Sequence, residues 1–284
     1  MRFVIDLMLE SGPVGCHERP IAHKPLEISS MHPTTFIRPL ACGAFAAIAL
    51  ASAPATQAAS PVENYALAIS WEPAYCISHG SYPECSSETP TRQDNKTFSL
   101  HGLWPQNESY CGVSSANKKL DENGDWSQLP AVVLNASTEA ALQVAQPGTM
   151  SYLDRHEWIE HGTCSGLSQQ NYYTPMLALL NSVNASNLGS TVSANVGGHL
   201  TLAQLQAAAA LDYGTYAKTD IEYLCVSSGG KSYLEEVRLH MHLPTTNPLP
   251  TSVLSSYMAK PVEPASSSEL CKSGVALYIK AVTN

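Results

Sequence analysis

The 284-residue chain is 44% hydrophobic and carries a net charge of −9, enough for one sizeable core and too acidic for bulk electrostatics to hold a polyanion. Any action on nucleic acid must come from a local site, which is expected to be salt-sensitive and helped by mildly acidic pH.

Residues 31–59, MHPTTFIRPLACGAFAAIALASAPATQAA, join a polar start with Arg38 to an apolar run from Leu40 to Ala51 and small residues around Ala58. That is the pattern of a secretory signal peptide, and the run is short for a membrane span. Cleavage near Ala58 or Ala59 leaves a mature chain beginning close to Ser60. Residues 1–30 are read as an artefactual extension upstream of a true start at Met31. A cytoplasmic extension that makes the run a signal anchor is the alternative. Segment 1–59 holds four basic and four acidic residues, so its removal leaves the charge unchanged. Cys76, Cys85, Cys111, Cys164, Cys225 and Cys271 remain. In an exported chain these suggest three disulfides, with about fifteen connectivities open. No CxxC pair occurs, which argues against a zinc ribbon or a thioredoxin-type site.

One domain is expected over residues 60–284. NYALAISW (64–71) sets Tyr65, Leu67, Ile69 and Trp71 against small residues, a strand pattern. Segment 72–97 reads as a loop stapled through Cys76 and Cys85. KTFSLHGLW (96–104) is a second strand, with Phe98 and Leu100 on one face and Ser99 and His101 on the other. Residues 106–128 read as loop, with turn chemistry at Asp121–Asp125. Helical periodicity follows at about 131–144, 151–162 and 172–184. The Asn-, Ser- and Gly-rich stretch 185–199 reads as a surface loop. Thr201 and Gln204 form a capping box for a helix over 202–211. YLEEVRLHMHL (233–243) places Tyr233, Val237, Leu239, Met241 and Leu243 on one face of a strand. Without a βαβ rhythm the class is α+β, a central antiparallel sheet with several flanking helices.

HEWIEHGTC (156–164) is the densest chemical segment. A zincin helix needs histidines four apart. His156 and His161 are five apart, roughly 140° around a helix. The aligned pairs are Glu157 with His161 and His156 with Glu160, which suit carboxylate–imidazole pairing better than shared metal ligation. Histidine, with an ordinary pKa of about 6.5, gives and takes protons near neutrality, and a neighbouring carboxylate orients it for that work. Taken alone, the segment could equally be a charged surface helix.

FSLHGLWP (98–105) supplies a second histidine, His101, beside Gly102 and Trp104. HGLWP and HEWIEHGTC together, in this order and about fifty residues apart, resemble the two signature segments of the ribonuclease T2 family. YALAISWEPAYC (65–76) and IEYLCVSSGGKSYLEEVRLHM (221–241) extend the likeness over most of the mature chain. The resemblance implies an endoribonuclease that needs no metal and no cofactor. His161 would take the proton from a ribose 2′-hydroxyl, and His101 would protonate the departing 5′-oxygen, leaving a 2′,3′-cyclic phosphate. His156 and Glu157 would support the phosphoryl oxygens. Trp104 would stack on a base, with Tyr110 in the same pocket. Gln106, where the family often has aspartate, would relax or alter base preference. The implied disulfides are Cys76–Cys85, Cys111–Cys164 and Cys225–Cys271. His240 stands where many relatives carry another cysteine.

One position departs from the family: Glu160 replaces the lysine that usually precedes the last histidine. Losing such a cation costs about 2–4 kcal/mol of transition-state stabilisation. The expected partner is single-stranded RNA and not DNA, since the chemistry requires a 2′-hydroxyl. The expected form is a secreted or periplasmic monomer, free of the membrane after leader cleavage. A non-catalytic RNA-binding or host-interacting protein on the same scaffold is the competing expectation, and Glu160 is what favours it. Asn95, Asn107, Asn135 and Asn184 lie in glycosylation sequons. His79, His199 and His242 are expected to be structural or exposed.

Overall fold

A computed structural model of the chain describes residues 62–283; the expected leader and the segment before it lie outside the described residues. The alternating NYALAISW run forms β1 (Val62–Ser70), and SLHGLWP forms β2 (Ser99–Pro105). They pair antiparallel, with Ala66 opposite Trp104 and Leu67 opposite Leu103. The later strands are β3 (His199–Leu200), β4 (Ile221–Ser228), β5 (Lys231–Pro244) and β6 (Leu277–Tyr278). The sheet order is β2-β1-β5-β6-β3, with β4 also pairing with β5. β5 is long enough to serve β1 along Glu236–Pro244 and β6 at Ser232–Tyr233. The β5–β6 pairing is parallel, a short departure from the antiparallel sheet expected.

The helices are α1 (Glu72–Tyr75), α2 (Pro83–Ser86), α3 (Ser115–Glu122), α4 (Ala136–Ala145), α5 (Leu153–Glu160), α6 (Gln169–Asn184), α7 (Asn187–Ser193), α8 (Leu202–Tyr213) and α9 (Ala217–Asp220). On α6, Tyr172, Tyr173, Met176, Leu179, Leu180 and Val183 form one apolar stripe, and they share a core with Leu67, Leu100, Leu103 and Leu239 of the sheet. The capping box at Thr201 and Gln204 is present. All three disulfides implied by the family likeness form: Cys76–Cys85, Cys111–Cys164 and Cys225–Cys271.

Four expectations of local structure fail. Segment 72–97, expected as a stapled loop, contains the short helices α1 and α2. The loop expected over 106–128 contains α3, capped by the Ser114 hydroxyl, which accepts from the Asn117 amide at 3.2 Å. Its almost wholly polar surface hid the helical period. The surface loop expected over 185–199 contains α7, started by a Ser186 cap. Its Leu188 and Val192 are four apart and fully buried. On β5, Leu234 and not Tyr233 enters the core. Leu224 pairs with Glu236 while Cys225 pairs with Leu234, so Glu235 is an extra residue that reverses the alternation. The bulge leaves Glu236 and Arg238 on the face opposite Val237 and Leu239.

Two of the four sequons are structurally committed. Asn95 is buried, and the Asn184 amide bonds both the N–H and the carbonyl of Phe98, each at 3.0 Å.

Leu188→Ala is expected to cost about 2–5 kcal/mol, because it empties a filled core position. Urea denaturation measures this; a residue in a surface loop would change stability by no more than about 0.5 kcal/mol.

Candidate active site

The two motif segments meet because a glycine follows His101. A side chain on Gly102 would collide with the Glu157 carboxyl group and come within 2.6 Å of Trp104 Nε1. With only hydrogen there, α5 lies against β2 and Glu157 is wholly buried beside the strand. Gly162 does the same at the other end of α5. A Cβ on it would strike the Trp158 ring and reach within 3.1 Å of Tyr172. α5 stops at Glu160, and His161 takes φ −111° and ψ −53° before a 3-10 turn over Gly162–Ser165. His161 caps the helix, its amide still donating to the Glu157 carbonyl at 3.2 Å, and its ring centroid lies 6.1 Å from that of His156.

His101 is gripped from β5. Its Nδ1 lies 2.6 Å from Glu236 Oε2, and its Nε2 faces Glu157 Oε1 at 3.5 Å. Arg238 in turn donates from Nε to Glu236 Oε1 at 2.5 Å. Burial acting alone would lower the His101 pKa. The Glu236 carboxylate and then Glu157 outweigh it and hold the imidazole up at about 9. Glu236 is itself pulled below the usual carboxylate range, because His101 and Arg238 overcome its burial. Glu157 accepts from Trp104 Nε1 at 2.8 Å on Oε2, while its Oε1 is buried without a hydrogen bond. Burial pushes Glu157 upward, against the pull of His101 and His156.

His161 has the opposite environment. Its Nδ1 is buried and unpartnered. Burial first, then repulsion from His156 and His101, pulls its pKa down to about 3. The expected Glu157–His161 pair does not form, since the Glu157 carboxylate is turned toward Trp104 and His101.

His156 is fixed by groups from outside the motifs. Its Nδ1 lies 3.0 Å from both Asp121 oxygens, and its ring stacks on Trp126 at 4.5 Å. Its Nε2 lies 3.6 Å from Glu160 Oε2, the pairing expected at this helical spacing. Burial would lower the His156 pKa, but Asp121, Glu157 and Glu160 raise it.

The remaining expected site residues are divided between the two sides. Trp104 lies among the catalytic candidates, its ring 5.1 Å from His101 and 5.3 Å from His161. Arg238 sits 5.0 Å from the same indole. Tyr110 belongs to the His156 side. Its hydroxyl donates to Asp121 at 2.9 Å, and Lys118 covers its ring at 4.7 Å. The Gln106 side-chain oxygen accepts from the Glu263 amide at 3.3 Å. A cavity of about 130 Å³ is lined by His101, His156, Tyr75, Trp126 and Glu72.

Asp121, Glu236 and Arg238 are the residues that sequence reasoning did not single out. Asp121 lay in an expected loop. Glu236 and Arg238 lay on the polar face of a correctly expected strand, where charge alternation reads as solvent exposure.

A family model described as the Ribonuclease T2 family matches residues 62–250. Ribonuclease I of Escherichia coli (strain K12) is 26% identical over 213 residues, 65% of this chain and 77% of that protein. Extracellular ribonuclease LE of Solanum lycopersicum is 25% identical over 182 residues, 58% of this chain and 76% of its own length. A ribonuclease of Aeromonas hydrophila is 34% identical over 116 residues, and the chain spans 43% of that relative's length. The crystal structure of a self-incompatibility-associated RNase of Nicotiana alata shares the fold. Its TM-score is 0.51 at 15% identity, covering 77% of this chain and 99% of that one.

In a histidine NMR titration His101 is expected to lose its proton near pH 9, and His161 to stay neutral down to about pH 3. Glu236→Gln removes the opposite charge and should lower the His101 midpoint by about 1–3 units. An unmoved midpoint would show that Glu236 is not what holds the proton.

Proposed function

The chain belongs to the ribonuclease T2 family, and from that premise we propose an exported, metal-independent endoribonuclease that cleaves single-stranded RNA by transphosphorylation. The observation that carries the reading is the opposite protonation of two neighbouring imidazoles, His101 held charged and His161 held neutral. An acid and a base on either side of one phosphodiester are what an internal 2′-hydroxyl attack needs.

In this reading His161 accepts the 2′-hydroxyl proton as the oxygen attacks phosphorus. The P–O5′ bond breaks, and His101 gives its proton from Nε2 to the leaving oxygen, because Nδ1 is committed to Glu236. The product is a 2′,3′-cyclic phosphate, which water opens with the two roles reversed. The bound phosphodiester anion raises the His161 pKa from its low resting value toward the working range. His156, whose pKa the Asp121 carboxylate raises, and Glu157 support the phosphoryl oxygens. DNA lacks the nucleophile and is not a substrate.

Arg238 supplies positive charge beside Trp104 on the His101 side, offsetting in part the cation that Glu160 does not provide. Sequence-tolerant contact at Trp104 is consistent with broad base preference. Residues 60–284 act as one catalytic domain. A monomer suffices, since His101, His156, Glu157, His161 and Glu236 all come from one chain. Three formed disulfides support an oxidising, secreted or periplasmic setting. Among the described residues no helix is long and apolar enough to cross a membrane.

Cleavage of a defined oligoribonucleotide with mass analysis of the ends tests the reading. Cyclic phosphate termini are expected, with EDTA leaving the rate intact. His101→Ala and His161→Ala should each lower kcat/KM by about 10²–10⁴-fold. Activity abolished by chelation would overturn the mechanism. The alkaline limb of kcat/KM should fall as pH rises through about 9, where His101 deprotonates. Glu160→Lys should raise turnover; a silent wild type revived by this change would favour the RNA-binding alternative.

A further inference from the structure

We infer that His156, Glu160 and His161 form a site for a divalent transition-metal ion such as zinc, and that filling it switches the enzyme off. One ligand atom from each residue lies within 4.8 Å of the others. In a tetrahedral zinc site with bonds near 2.0–2.1 Å, neighbouring ligand atoms are roughly 3.3 Å apart. His156 Nε2 and Glu160 Oε2 already stand 3.6 Å apart, close to that spacing.

Two further observations point to a metal. The first is the Asp121 carboxylate on His156 Nδ1, 3.0 Å from each oxygen. A carboxylate that accepts from one ring nitrogen fixes the tautomer and turns the other nitrogen's lone pair outward. This is the outer-shell arrangement found behind metal-ligating histidines. The second is His161 itself, whose Nδ1 is buried without a partner. Stacking on Trp126 at 4.5 Å limits movement of the His156 ring.

His161, at the end of α5, sets its ring centroid 6.1 Å from that of His156. Two imidazoles and one carboxylate suit zinc, copper or nickel, whereas magnesium and calcium prefer all-oxygen sets. Three protein ligands leave the fourth position for water or a phosphate oxygen. Glu160 is the deciding member. A lysine there would repel the ion, so the residue that weakens phosphate support also completes the ligand set.

Inhibition rests on the proposed catalytic role of His161: a ligated imidazole cannot accept a proton. Metal binding does not rest on it. The test is calorimetric titration of the chelator-treated protein with Zn²⁺, for wild type, Glu160→Gln and Glu160→Lys. RNA cleavage is measured in parallel with Zn²⁺ and with Mg²⁺, each normalised to the variant's own metal-free rate. The six cysteines among the described residues are disulfide-bonded, so their thiols do not compete for the ion. One Zn²⁺ per wild-type chain is expected, with affinity at least about tenfold weaker in Glu160→Gln and lost in Glu160→Lys. Zn²⁺ but not Mg²⁺ should inhibit the wild type, reversibly with EDTA. Failure of the wild type to bind Zn²⁺, or equal affinity and inhibition in Glu160→Gln, would overturn the inference. Zn²⁺ bound in Glu160-dependent fashion by a protein that cleaves no RNA would retain the site and remove the ribonuclease reading instead.

Discussion

The site depends on a buried carboxylate lying against a strand that has no side chain at the point of contact. Glu157 reaches the sheet only because Gly102 leaves room for it, and it is held there by the Trp104 indole at 2.8 Å. A buried acid with a single hydrogen bond is costly. That cost is offset by nearby charge, with His101 Nε2 3.5 Å from its free oxygen. Docking Glu157 fixes the rotation of α5. The rotation sends His156 toward Asp121 and leaves His161 at the helix end, within 5.3 Å of the same indole. One close approach therefore places three histidines.

Their chemical difference comes from which carboxylates reach them. His101 has Glu236 from β5, and His156 has Asp121 from α3. His161 has no hydrogen-bonded acid and two imidazoles nearby. His101 and His161, identical side chains in a common low-dielectric setting, are thereby pushed to opposite sides of neutrality. The disulfide Cys111–Cys164 joins the segment after β2 to the turn after His161. It ties the two halves of the arrangement covalently, while Cys225–Cys271 fastens β4 beside the strand that carries Glu236.

What could be read in the sequence was what local pattern encodes. β1, β2 and β5 alternate visibly, α6 repeats at helical spacing, and the two motif segments declare the histidines and their glycines. Partnership across the chain could not be read in this way. Asp121 is 35 residues from His156 and Glu236 is 135 from His101, and no local period relates them. The β5 bulge at Glu235 changed which side chains face inward, a tertiary choice made by pairing with β4. α3 and α7 were missed for opposite reasons. α3 has almost nothing apolar to reveal its face, and α7 buries Leu188 and Val192 inside a stretch whose composition reads as loop.

Glu160 is where local reading and structure bear on each other most directly. Helical spacing paired it with His156, and the structure keeps that pair at 3.6 Å. The same spacing argument set His161 apart and disfavoured shared ligation, yet the two rings lie with centroids 6.1 Å apart. In the proposed reaction an acid at this last helical position weakens phosphate support through its charge. At the inferred metal site the same carboxylate is the third donor beside two neighbouring imidazoles.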